Sequence, residues 1–520
     1  MTSTVDRPLS GDDRAAMVRH ALEREVPGGI GICSGQQVHP GRGDRFPLHD
    51  PTSHALVTEW PDPGREGADL ALAAAVEGFA RWTALGPAGR ADALRTAAQL
   101  VEARAGDLAR LETLTTGKPL RDTTAELRAV VTMLKFYGGW AERINGETLG
   151  GAGSWHAYSL LQPFGVIVAV TPWNAPLLTA AANGLPALAA GNAVVVKPSE
   201  FTPASTIRFA QILHEAGLPL GAFVAAPGLG ATVGAALTTD RRVGKVVFIG
   251  SVGTGRAVAS ASAAAGIPSI LELGGKSANV VFADAGLDDA AAGALSAVFS
   301  GTGQSCQAGS RLLVQDSIRD KLLDRIVAGA RVLRVGDPLD PETELGPIVH
   351  RAQYERVREL VALGVAEGAR QLADLPLPAG IATGPMRTGN WCTPVLLDGV
   401  AADHSLEHTE VFGPVLAIDT FSDENEALAR ANGTEFGLAS AVWTRDVARA
   451  HRFASAIQAG TCYVNCYKVG HPSAPFGGFK SSGWGRASGR GVVEEFTQSK
   501  AVWVATQRTA PAFPSLDRQR

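Results

Sequence analysis

The chain has 520 residues, 45% hydrophobic and 19% charged, with a formal net charge of −4. Such a length exceeds what one simple core fills, so two or three domains are expected. The near-neutral charge gives no reason to expect nucleic acid or an anionic membrane surface as the main partner. Five cysteines, Cys33, Cys306, Cys392, Cys462 and Cys466, are too few for a disulfide framework and read as free thiols in a reducing compartment.

The N-terminus, MTSTVDRPLSGDDRAAMVRHALEREV, mixes acids and bases and has no apolar h-region, so it is not a secretory signal. Residues 1–24 and 506–520 are expected to be flexible ends. From about 65 to 140 the pattern is helical, with Gly117 placed to stop one of the helices. Between 160 and 250 short apolar runs (GVIVAVTP, NAVVVKPS, GAFVAAPG, KVVFIGS) alternate with helical stretches, the signature of βαβ units and a parallel sheet. A second α/β series begins at SANVVFADA and runs through RLLVQDS, a helix over DKLLDRIVAGARVL, and PVLAIDTF. No stretch of about eighteen apolar residues runs unbroken, so a soluble, cytoplasmic protein is expected.

Several segments carry residue types suited to chemistry. KVVFIGSVGTGRAVASAS sets a strand, a turn with Gly250 and Ser251, and a helix whose N-terminal N–H groups could approach a pyrophosphate. The spacing is not G-x-G-x-x-G, and an ordinary strand–helix turn remains the alternative. VVVKPSE ends a buried strand in Lys197 and Glu200, where an acid can hold two ribose hydroxyls or simply form a solvated pair. In LELGGKS, Glu272 lies between leucines, where desolvation would raise its pKa toward that of a general base; a surface acid is the bland alternative. TPWNAP presents Trp173 and an asparagine, Asn174, able to donate to an oxyanion or to serve a turn. EVFGPV puts Glu410 and Phe412 on one side of an extended run. GQSCQAGSR sets Cys306 between Ser305 and Gln307, polar and approachable as a reactive thiol requires. CYVNC lacks nearby histidines, and His404 and His408 lack a third ligand, so no metal is expected.

Taken in order, TPWNAP, KPSE, FIGSVGTG, LELGGKS, GQSCQAGSR, EVFGPV, VNCY and PFGGFKSSG resemble the aldehyde dehydrogenase superfamily from about residue 45 to 505. The resemblance implies an α/β fold: a Rossmann-type cofactor domain (25–145 and 164–272), a catalytic domain (273–487), and a bridging β element (146–163 and 488–505). It implies Cys306 as nucleophile, Asn174 with the Cys306 N–H as oxyanion hole, and Glu272 as general base. Trp173, Lys197, Glu200, Gly250, Ser251, Glu410 and Phe412 would bind NAD, with NADP possible; Asn465 would support the site. Homodimers or homotetramers are expected. The alternatives are a CoA-acylating semialdehyde dehydrogenase, which commonly lacks the glutamate of LELGGKS, and a non-catalytic homologue.

The chain departs from the family pattern where substrate would enter. Ala175, Thr179 and Ala182 fall on one helix face, and Gly470 follows VNCY, at positions where many relatives carry bulk; with Ser305 and Gln307 beside Cys306 they are the candidate substrate-pocket residues. A wide pocket for a bulky, aromatic or branched aldehyde is expected. Lys468 reads as a solvated lysine, with an acidic substrate as the alternative. Asn183 and Ala487 stand where lysine and glutamate are common, which puts the route of proton release in doubt.

Overall fold

The computed structural model describes residues 10–150 and 153–507. Two large, mostly parallel sheets form the body. In the first, the strands Ser269–Glu272, Val243–Ile249, Val166–Val170, Ala193–Lys197 and Phe223–Ala225 lie side by side in parallel. Short antiparallel edges, Gly483–Trp484 at one side and Ile32–Cys33 with Val38–His39 at the other, complete its eight strands. The second sheet runs Arg370–Gln371, Val395–Asp398, Val415–Phe421, Arg311–Gln315, Ala278–Val281, Ala439–Trp443, Thr461–Val464, parallel except at the first strand.

The unbroken apolar runs follow from helices covering both faces of each sheet. On one face of the first sheet Ile167, Ala169, Val194 and Val196 pack with Leu177, Leu185, Phe209 and Ile212. On the other, Val166, Val168, Ala193 and Val195 pack with Ala68, Ala71, Leu72 and Ala75. The second sheet repeats the scheme, Val281, Leu312 and Val314 meeting Ala290, Ala294, Leu322 and Ile326. Four helices, Gly64–Ala84, Gly86–Ala103, Ala105–Thr116 and Leu120–Trp140, occupy the stretch where the pattern predicts helix; Gly117 closes the third in the left-handed conformation, φ 72°.

A third, smaller sheet pairs Trp155–Pro163 antiparallel with Thr497–Ala505 on one side and with Thr148–Leu149 on the other. Residues 488–496 do not join it: Val492 and Phe496 are buried in the core of the first sheet. Gly483–Trp484 likewise crosses back to pair with Leu271 and Glu272, because the segment after PFGGFKSSG lies along that sheet's edge.

The N-terminal end corrects the expectation of flexibility. Gly11–Glu25 is a helix, started by a capping box between Ser10 and Asp13, with Ala15, Val18, Ala21 and Leu22 buried. Arg14, also buried, donates to Thr52 and pairs with Asp337. The dense surface charges of this stretch mask its apolar stripe. The remainder of the predicted flexible ends, 1–9 and 508–520, lies outside the described residues. Among the described residues no helix is long and apolar enough to cross a membrane.

Candidate active site

The site lies between the carboxyl ends of the first sheet and the loops of the second. Asn174 follows the strand Val166–Val170 and precedes the helix Pro176–Ala189; its Nδ2 donates to the carbonyl of Gln304 at 2.8 Å. That bond fastens the first sheet to the loop bearing Cys306, and one of the two Asn174 N–H groups stays uncommitted.

The Cys306 loop is held in an unusual shape. Gly301, Thr302 and Gly303 are all left-handed, with φ of 66°, 56° and 71°. A β-branched residue there is strained; Thr302 is kept in place because its hydroxyl donates to the Gly346 carbonyl and accepts from the Gly346 N–H. Gln304 adds three anchors, accepting from Val349 N and donating to the Gly301 and Pro347 carbonyls. Cys306 is half-buried at the end of this loop. Burial pushes its thiol up to about 12, reinforced by Glu410 and Glu272 and opposed by Lys468 and its own backbone N–H.

Glu272 ends the strand Ser269–Glu272 at 7% exposure, its Oε1 without a hydrogen-bond partner. Burial raises its carboxyl to about 8, with Arg486 pulling the other way. The two glycines that follow explain the LELGG order. A Cβ on Gly274 would sit 2.1 Å from Glu410 Oε2, and one on Gly275 would sit 2.5 Å from the Cys306 carbonyl oxygen. The Gly275 N–H donates to Glu410 Oε1 at 2.9 Å. Glu410 is itself raised to about 7, by burial against the pull of that N–H, Lys276 and Arg356.

The remaining predicted groups stand at strand ends and turns of the two sheets. Lys197, buried at the end of its strand, donates to Glu200 Oε2 at 3.2 Å, and burial lowers its pKa. Gly250 follows the strand Val243–Ile249; Ser251 caps the helix Val252–Ala264 by accepting from Thr254 N at 3.3 Å. Phe412, left-handed at φ 57°, meets the edge of Trp173 at 5.1 Å. Asn465 exchanges two hydrogen bonds with the Thr444 backbone and so fixes the turn after Thr461–Val464.

Of the predicted pocket positions, Ala175 is buried and Thr179, Ala182 and Ser305 are half-buried. Gln307 accepts from the Tyr463 hydroxyl at 3.0 Å, and no atom lies within 4 Å of where a Gly470 Cβ would stand. Asn183 is buried, its Nδ2 donating to Thr179 O and its Oδ1 unpartnered; Ala487 is buried too.

These segments fall within the match of the family model described as the aldehyde dehydrogenase family, over residues 38–502. The chain belongs to that family. This aldehyde dehydrogenase is 43% identical over 473 residues to a betaine aldehyde dehydrogenase of Cereibacter sphaeroides, covering 89% of this chain and 96% of the relative. It is 38% identical to retinal dehydrogenase 2 of Gallus gallus, covering 89% of each. Among solved structures it is similar to PnpE from Pseudomonas sp. WBC-3, also solved in complex with nicotinamide adenine dinucleotide, with TM-score 0.90, 38% identity, and coverage of 93% of this chain and 99% of that one.

Two features of the aldehyde dehydrogenase were missed in sequence and a third was misplaced. His350 stacks on Phe201 at 4.3 Å and meets the edge of Trp173 at 4.9 Å, and burial lowers its pKa to about 4. Nothing in the sequence joins residues so far apart. Arg486, the cation opposing Glu272, is held by the Gly478 and Gly485 carbonyls. Lys468 corrects its reading as a solvated lysine: it is half-buried, left-handed at φ 54°, and donates to the Ser300 carbonyl at 3.3 Å.

Proposed function

We propose that this aldehyde dehydrogenase oxidises an aldehyde to the carboxylic acid with NAD, through a thiohemiacetal and then a thioester on Cys306. The observation that carries the reading is the meeting of Cys306, Asn174 and Glu272, tied together by the Asn174–Gln304 bond and the packing of Gly275 beneath Cys306.

The cofactor fits the groups present. A thirteen-residue helix, Val252–Ala264, offers its N-terminus to a pyrophosphate beside Gly250 and Ser251. Glu200 stands at the end of the strand Ala193–Lys197 with a half-exposed carboxylate for ribose hydroxyls. Glu410 packs against the glycines next to Cys306, and Phe412, two residues on, meets Trp173, groups suited to the second ribose and the nicotinamide.

In the first step the Cys306 sulfur bonds to the carbonyl carbon and the thiol proton passes to Glu272. The uncommitted Asn174 N–H and the Cys306 N–H hold the oxygen as it gains negative charge. Bound NAD would supply the acceptor for the hydride that leaves this carbon. Glu272 gives the thiol proton up to solvent, then takes one from water as the hydroxide adds to the thioester carbon; the carbon–sulfur bond breaks to release the acid, and the proton on Glu272 returns to the departing Cys306 thiolate. The presence of Glu272 favours hydrolysis over transfer to CoA.

The small side chains at Ala175, Thr179 and Ala182, with the open space at Gly470, favour a bulky aldehyde, aromatic or branched. The exposed Trp503 and Val504 on the edge strand Thr497–Ala505 favour assembly into dimers or tetramers through that edge. NAD reduction across aldehydes from acetaldehyde to benzaldehyde and branched members, with Cys306→Ala as control, tests the reading. Activity that favours the bulky members and vanishes in the variant supports it. A preference for acetaldehyde overturns the wide pocket, and activity that survives in the variant overturns the thiol mechanism.

A further inference from the structure

The ammonium of Lys468 occupies an uncommon electrostatic position. It sits on the turn after Asn465, next to the loop that carries Cys306, and its one hydrogen bond goes to a neutral carbonyl, that of Ser300, at 3.3 Å. No carboxylate stands within ion-pair distance of it among the described residues. The acids that face it from the helix Leu120–Trp140 are already engaged. Both oxygens of Glu126 accept from Lys118, at 2.7 and 2.6 Å. Asp122 accepts from the Gly301 N–H at 3.0 Å and lies 3.4 Å from Arg121. Lys118 adds a further positive charge, and the Cys306 thiol also faces Lys468.

An ammonium drawn out of water with one neutral acceptor gains by meeting an anion. Gly470, two residues later, leaves the same turn uncrowded: no atom lies within 4 Å of where a Cβ on it would stand. Burial has already lowered the lysine to about 8, against the pull of Asp122, Cys306 and Glu126, a cost that an incoming anion would offset.

We propose that Lys468 is a specificity-determining residue that binds a carboxylate carried by the aldehyde remote from its carbonyl, so that the substrate is an oxo-carboxylate. The inference rests on the aldehyde-oxidising reading above and narrows it. It also sets this chain apart from a site for a quaternary-ammonium aldehyde, which the Lys468 charge would repel.

Matched probes of flexible chain test it: 6-oxohexanoate, hexanal and betaine aldehyde, compared by kcat/KM in wild type, Lys468→Met and Lys468→Arg. Loss of a charge-assisted bond is worth roughly ten- to a hundredfold. Wild type is expected to favour 6-oxohexanoate over hexanal by that factor and to use betaine aldehyde least. Lys468→Met should collapse the ratio through KM, and Lys468→Arg should keep it. A wild-type ratio near one, a ratio unchanged in Lys468→Met, or an equal fall in kcat for all three probes would overturn the proposal, the last by assigning Lys468 to the thiol instead. Calorimetric binding of adipate reads the same site without turnover: weakened in Lys468→Met and retained in Lys468→Arg if the inference holds, unchanged in both if it fails. Should no aldehyde reduce NAD, the proposed activity falls while adipate binding still decides the role of Lys468.

Discussion

Gly275 lies directly beneath the backbone of Cys306: a Cβ on it would approach the Cys306 carbonyl oxygen to 2.5 Å. Real Cβ atoms do not come that close, so the glycine is what lets the segment carrying Glu272 pack against the nucleophile's loop. Gly275→Ala is therefore expected to push Cys306 off its position. A displacement of about 1 Å at the reacting atom costs roughly a hundredfold in rate. Steady-state kinetics should show a kcat fall of that order, while Gly139→Ala, at a helical glycine with no neighbour within 4 Å of the added carbon, leaves kcat unchanged.

The protonation states of Glu272 and Cys306 set the pH dependence. With the carboxyl raised to about 8 and the thiol to about 12, the thiol keeps its proton throughout the working range and Glu272 changes state within it. Burial holds the thiol well above the carboxyl, so the proton leaves sulfur only as sulfur bonds to the substrate carbon. A base must be deprotonated to act. The kcat for a neutral aldehyde should rise about tenfold per pH unit below 8 and level off above it. Glu272→Gln should abolish this rise. A flat profile in wild type between pH 6 and 8 would rule out Glu272 as the base.

Glu200 should set the cofactor preference. Its carboxylate, tied to Lys197 at 3.2 Å, would accept from a free 2′-hydroxyl and repel a 2′-phosphate. Glu200→Gln removes the repulsion and keeps the shape. The ratio of kcat/KM for NADP over NAD is expected to rise by roughly tenfold, about 1.4 kcal/mol. An unchanged ratio would place the ribose elsewhere.

Much of this architecture was legible because it is local. The buried strands announce themselves as apolar runs, since both faces of each sheet are covered, and Gly117 marks a helix end that needs left-handed backbone. The motifs containing Glu272, Cys306 and Glu410 were also legible, and the structure adds the reason for the glycines after Glu272, which is close contact with the separate segments that carry Cys306 and Glu410. What stayed hidden depends on tertiary placement. Whether Lys468 meets water is decided by the helix Leu120–Trp140 and the Ser300 turn, neither of which its own neighbours encode. The stacking of His350 on Phe201 is of the same kind. The helix Gly11–Glu25 escaped for a different reason, its apolar stripe being narrow among charges.

The arginine that closes GQSCQAGSR anchors the second sheet rather than the chemistry. Arg311, 2% exposed, pairs with buried Glu407 at 2.5 Å and donates to the carbonyls of Lys276, Arg430 and Ala431. Because the guanidinium cannot shed its charge, deleting the carboxylate leaves a buried cation with neutral acceptors only. Glu407→Ala is expected to cost about 3–5 kcal/mol and to lower the thermal midpoint by roughly 5 °C or more. Replacing the pair together, Arg311→Met with Glu407→Leu, removes both charges and should recover part of the loss, as buried pairs do when exchanged for apolar groups of similar volume. Scanning calorimetry of the single and double variants separates the cases: a double variant as unstable as Glu407→Ala would mean that the hydrogen bonds from Arg311 to the three carbonyls, and not the ion pair, hold this part of the sheet.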